Sequence, residues 1–120
     1  MRNIEFLIVL SVICIIACDK NDNPISNQEN NAPVIQAITF NPDTLRSNES
    51  CLVKVIVSDP DNDELKYQWS SSGTLSPNKP DPSRIFFFPG LCCGPPTITI
   101  LVEDGNGGSD DSTISIPLLR

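Results

Sequence analysis

The side chains with the most chemical capacity in this 120-residue chain are carboxylates, and they gather in two short stretches. Asp59, Asp61, Asp63 and Glu64 follow an apolar run, and Glu103, Asp104, Asp110 and Asp111 flank Asn106-Gly107-Gly108. Brought to one place, such groups repel each other, and a hard cation with six to eight oxygen ligands reverses that penalty. Asp59, Asp61, Asp63, Glu103 and Asp104 are the set that suits calcium. The alternation Asp59-x-Asp61-x-Asp63 begins like a twelve-residue calcium loop, but Glu64 stands at its turn glycine and Ser70 at its bidentate glutamate. The other reading is turn chemistry alone, because Asp, Asn, Pro and Gly all favour turns.

Nucleophilic catalysis has little to work with. The chain contains no histidine, which removes the commonest general base and every Ser-His or Cys-His pairing. A carboxylate pair could serve a glycosidase, but a domain of under about a hundred residues has little scaffold for a deep cleft. The expectation is a protein that is not an enzyme. Zinc is disfavoured too, since structural sites take four Cys or His ligands.

The N-terminus gives the address. Arg2 supplies positive charge, Phe6 to Ile16 are apolar apart from Ser11, and Ala17 is small, so residues 1–17 read as an export signal. The apolar stretch, roughly 18 Å long as a helix, is too short to span a hydrocarbon core of about 30 Å. Ile15-Ile16-Ala17-Cys18 resembles the lipobox of bacterial lipoproteins, which implies acylation of Cys18 as the first residue of the mature chain. Several acyl chains, at about 0.8 kcal/mol per buried CH₂, make such an anchor permanent. Residues 18–31 then form the lipidated cysteine and a polar tether that lacks enough apolar surface to fold. The tether from Asp19 to Asn31 reaches about 45 Å at most. The expected location is the bacterial cell envelope, membrane-anchored and facing the periplasm or the exterior.

Removing Arg2 and Glu5 with the leader leaves fourteen acids against seven bases, a net charge of −7. That surface repels phosphate backbones, and no basic cluster offsets it, so no nucleic-acid partner is expected.

Beyond Asn31, apolar residues recur with period two between turn clusters, the pattern of half-buried strands. Val34 to Phe40 gives one strand. Cys51, Val53, Val55 and Val57 alternate with Leu52, Lys54, Ile56 and Ser58 in a second, and Leu65, Tyr67 and Trp69 mark a third. Ile85 to Phe88, the run around Ile98, Ile100 and Val102, and the run around Ile114, Ile116 and Leu118 supply three more. Six strands predict an all-β, two-sheet sandwich.

Asn31-Ala32-Pro33, Ser58-Asp59-Pro60-Asp61-Asn62-Asp63 with Leu65-Lys66-Tyr67-Gln68-Trp69, and Val102-Glu103-Asp104-Gly105-Asn106-Gly107-Gly108 resemble PKD-like and related immunoglobulin-like domains of bacterial surface proteins. The resemblance covers residues 32–118 and implies an immunoglobulin-like β-sandwich used as a spacer or binding module. Trp69-Ser70-Ser71-Ser72-Gly73-Thr74 departs from the Trp-Asp-Phe-Gly-Asp-Gly that PKD domains often carry. Sandwich topology brings both acidic stretches to one end, where cadherin-like domains also keep acidic loops. It also starts the second and fifth strands from the other end, so Cys51 is expected to form a disulfide with Cys92 or Cys93. A vicinal Cys92–Cys93 bridge is the alternative, and one thiol is left over in either case.

The aromatic residues carry the remaining expectations. Trp69 and Tyr67 are the side chains that could stack on a sugar, but their inward parity predicts burial. Of Phe86, Phe87 and Phe88, a strand must turn at least one outward. That ring either packs under the Pro-rich loop from Pro77 to Pro82 or faces a partner. The expected function is a non-catalytic envelope protein whose sandwich binds a protein or polysaccharide. The rivals are a passive spacer or assembly subunit and a calcium-dependent adhesion module.

Overall fold

The computed structural model describes residues 28–90 and 94–119. The leader, Cys18, most of the tether, Cys92 and Cys93 lie outside the described residues. Within them there are nine strands and no helix. They are β1 (Val34–Asn41), β2 (Leu45–Arg46), β3 (Cys51–Ser58), β4 (Lys66–Ser71), β5 (Thr74–Pro77), β6 (Arg84–Phe88), β7 (Thr97–Glu103), β8 (Ser109–Ser115) and β9 (Leu118–Leu119).

One sheet runs β1-β3-β6-β5 and the other β4-β7-β8, both antiparallel. This is the constant-type immunoglobulin division of strands between two sheets. The expected all-β, immunoglobulin-like sandwich is the fold observed. The short parallel pair of β2 and β9 closes the side where β1 and β8 meet, and Asp110 Oδ2 accepts from Ile35 N there at 2.8 Å. On the opposite side, β4 and β5 are both edge strands.

Period-two alternation builds the core between the sheets. Cys51, Val53 and Val55 from β3 and Ile85 and Phe87 from β6 face Ile98, Ile100 and Val102 from β7. Leu45 and Ile116 seal one end of it, both fully buried. In β1 the register shifts between Ile35 and Ala37. That bulge lets Ile35 and then Ile38 both face the core, three residues apart rather than two.

Three strands exceed the sequence expectation. β2 and β9 are two residues each, too short to show any period. β5 lies in what reads as a loop, Thr-Leu-Ser-Pro, and becomes a strand through its register with β6, Leu75 opposite Phe87. β8 starts at Ser109, well before the Ile114 that its apolar pattern suggests, because Asp110 and Asp111 are held by pairing to Val102 and Leu101.

Candidate functional site

Three regions could carry function, and the first is the acidic end. β1 begins opposite the end of β3, Val34 against Ser58, and β4 begins opposite the end of β7, Lys66 against Glu103. The loop after β3, the turn after β7 and the segment before β1 therefore share one end. Asp59 Oδ1 accepts from Asp61 N at 2.8 Å, and Asn62 turns the loop with a positive φ of 58°, a conformation Asn tolerates well. Asp59, Asp61 and Asp63 each bring a carboxylate oxygen within 4.8 Å of the others. Asp59 Oδ2 is buried without a hydrogen-bond partner among the described residues.

The other two expected ligands go elsewhere. Glu103 points to the outer face of its sheet, where Gln68 Nε2 donates to it at 2.7 Å. Asp104 is only 4% exposed and its bonds are satisfied by protein. Its Oδ1 accepts from Asn106 N at 2.7 Å and Gly108 N at 2.9 Å, and its Oδ2 from Asn30 Nδ2 at 2.8 Å. This carboxylate acts as the clasp of the β7–β8 turn. Asn31, expected to end the tether, is bound to the domain as well: its backbone N donates to Asp61 Oδ2 at 2.7 Å. Nothing local signals these contacts, since the acceptors lie far along the chain.

Asn30's donation, reinforced by the two backbone N–H groups, holds the Asp104 carboxyl below its usual range against the opposing effect of burial. A folded-state pKa below the unfolded value contributes stability above the unfolded pKa and loses it as pH falls through the folded one. Asp104→Asn presents an amide N–H₂ or a single carbonyl where two oxygens now accept. The expected result is a lower Tm at pH 7 and a flatter decline of Tm between pH 5 and pH 2 than in the parent. Parallel profiles in a pH series of thermal melts would remove Asp104 as the clasp.

The second region is the outer face of the β1-β3-β6-β5 sheet. Phe87 is fully buried, whereas Phe86 and Phe88 are 40% and 44% exposed. Two of the three rings thus turn outward. Phe86 stands opposite Leu52 on β3 and Ser76 on β5, and Phe88 opposite Thr74. Ile56 is exposed on the same face of β3, two residues beyond Lys54, which pairs with Arg84.

The third region surrounds the two rings that could stack on a sugar but that parity predicts to be buried. Tyr67 and Trp69 turn inward and pack against the core as expected, but they are only partly buried. β4 is an edge strand, and β5, only four residues long, covers the inter-sheet gap incompletely. A groove of about 350 Å³ remains, lined by Tyr67, Trp69, Leu75, Lys79, Pro82 and Arg84 among others. Trp69 Nε1 donates to Pro82 O at 3.0 Å. Parity identified the inward face correctly but says nothing about which strand lies at an edge.

Cys51 is buried at the opposite end from the acidic loops, paired in register with Phe87. β6 ends and β7 begins at that end, and Cys92 and Cys93, which fall between them in sequence, lie outside the described residues. Burial pushes the Cys51 thiol up to about 11.

A family model described as a bacterial Ig domain matches residues 30–117. No curated protein and no solved structure matches the chain.

Proposed function

Since the chain belongs to the bacterial Ig domain family, whose members are in general non-enzymatic modules of extracellular and surface proteins, we propose that it is a lipid-anchored envelope protein that docks a partner protein through one sheet face. The observation that carries this reading is the outward pair Phe86 and Phe88, with Leu52 beside Phe86. Solvent-exposed aromatic rings set among apolar neighbours are the composition of interface cores.

Anchoring at Cys18 gives the domain an orientation. The tether joins the domain at the acidic end, where Asn30 and Asn31 are bound. That end faces the membrane, and like charge keeps it off anionic headgroups.

The spacer reading predicts no specific partner. The test is crosslinking in cells that express the intact chain, compared with Phe86→Thr/Phe88→Thr, in calcium and in chelator. Docking predicts a discrete adduct in the membrane fraction that the double variant loses. Persistence of the adduct in the variant moves docking to another surface and overturns the Phe86/Phe88 face, and no adduct in the parent favours the spacer.

Calcium-dependent adhesion is a second reading, supported by the close approach of Asp59, Asp61 and Asp63 and by the unpartnered Asp59 Oδ2. It requires the adduct to vanish in chelator and return with calcium but not with magnesium at matched ionic strength.

A further inference from the structure

The groove between β4 and β5 has a chemistry different from that of the Phe86/Phe88 face. Its volume, about 350 Å³, lies in the range of small-ligand clefts, roughly 300–1,000 Å³. Two aromatic side chains, Tyr67 and Trp69, form its wall on β4, and Leu75 lies across from them on β5. Polar groups come from the segment between β5 and β6, where Asn78 and Lys79 join Arg84.

That segment is held in shape. Asn78 O accepts from Asp81 N at 3.0 Å, and Asp81 O accepts from Arg84 N at 3.1 Å. Asp81 Oδ1 accepts from Ser83 N at 3.0 Å, and Arg84 Nε lies 2.9 Å from Asp81 Oδ2. The Arg84–Asp81 contact is a charge pair rather than an aligned hydrogen bond, because Arg84 Nε has no hydrogen-bond partner among the described residues. The bond from Trp69 Nε1 to Pro82 O ties the indole to the same segment. Rings and rim are therefore positioned before any ligand arrives, which reduces the ordering cost of binding.

We propose that this groove binds a neutral hexopyranose unit of a polysaccharide, with its apolar ring face against Tyr67 and Trp69 and its hydroxyls on Lys79, Asn78 and Arg84. The class follows from three features of the groove. A pyranose has an apolar C–H face and a polar rim, and the groove has both complements. Its hydroxyls both donate and accept, and the groove offers the Asn78 amide as acceptor beside the cationic donors Lys79 and Arg84. Burial and the nearby Asp81 raise the Tyr67 pKa, so the phenol stays protonated as a donor.

The charge of the chain as a whole disfavours an acidic sugar. Asp81 offsets Arg84, Lys79 is the remaining cation of the lining, and the chain carries a net charge of −7, which repels polyanions at moderate salt. An extended peptide adding to the β5 edge is disfavoured by Pro77, which has no N–H to donate. This inference goes beyond protein docking and uses another surface.

Trp69 is the only tryptophan, so intrinsic fluorescence reads this groove directly. The experiment titrates the full chain in detergent micelles with β-1,3- and β-1,4-linked glucose oligomers and mannose oligomers, with a polygalacturonate oligomer and an extended peptide as comparators. Fluorescence and calorimetry are recorded in parallel. The expected result is saturable binding of at least one neutral oligomer, little changed between about 50 and 500 mM salt because no ion pair with the ligand is involved. Lys79→Ala, at an exposed position, should weaken it about tenfold, the loss of a hydrogen bond to a charged group. Phe86→Thr/Phe88→Thr should leave it intact, so the two surfaces fail independently. No binding by any neutral oligomer overturns the proposal, as does tighter binding of polygalacturonate or of the peptide. Unchanged affinity in Lys79→Ala overturns the assigned rim.

Discussion

Phe87→Ala is expected to cost about 3–5 kcal/mol, because a large ring leaves a well-packed core and the cavity collapses only in part. At about 4–8 °C per kcal/mol for a domain of this size, Tm falls by at least about 12 °C. The adjacent positions behave oppositely. Phe86→Thr and Phe88→Thr introduce β-branched side chains that suit a strand and remove rings that are 40% and 44% exposed, so each should cost about 1 kcal/mol or less. The three variants, melted side by side, make a parity experiment on one strand. Comparable losses at all three positions would mean that the outer rings are covered, and the docking face would be lost with them.

Cleavage of a Cys51 bridge should rank with the loss of Phe87. Cys51 sits in the core at the end where β6 leaves one sheet and β7 enters the other. A disulfide from there to Cys92 or Cys93 closes a loop of about forty residues, worth roughly 4 kcal/mol in the chain-entropy model. In a soluble form beginning at Asp19, reductant is expected to lower the parent's Tm by about 15 °C or more. The same reductant should leave the Tm of Cys51→Ala unchanged. If the parent melts alike with and without reductant, Cys51 is an unbridged core thiol. With a pKa of about 11 and almost no exposure, it should then resist alkylation in the native state and react only on unfolding.

Most of the strands are legible in the sequence because each buries one face, and burial imposes period two on residue choice. β3 and β7 show this most plainly: Cys51, Val53 and Val55, then Ile98, Ile100 and Val102, reach the core as their alternation indicates. β5 and the first half of β8 do not follow that rule. Their places are fixed by partner strands, and Ser, Asp and Pro at those positions give no local hint of pairing.

The acidic residues divide in the same way. That the two stretches meet at one end followed from the order of strands, yet the separate fates of their members did not. Asp59, Asp61 and Asp63 approach each other, Glu103 turns to the outer face, and Asp104 is claimed by Asn30, Asn106 and Gly108.

What the sequence determined by itself is what depends on local order: the alternation that makes strands, the acidic net charge, the absence of histidine, and the expectation of an anchor at Cys18. Tertiary structure alone decided which strands are edges and which long-range partners each polar group finds. Edge position leaves Tyr67 and Trp69 half-open in a groove, and pairing on both sides leaves Phe86 and Phe88 on a sheet face. The physical reason is that a side chain's direction is set by its own backbone, whereas its covering is set by residues that may lie seventy positions away, as Asn30 does from Asp104.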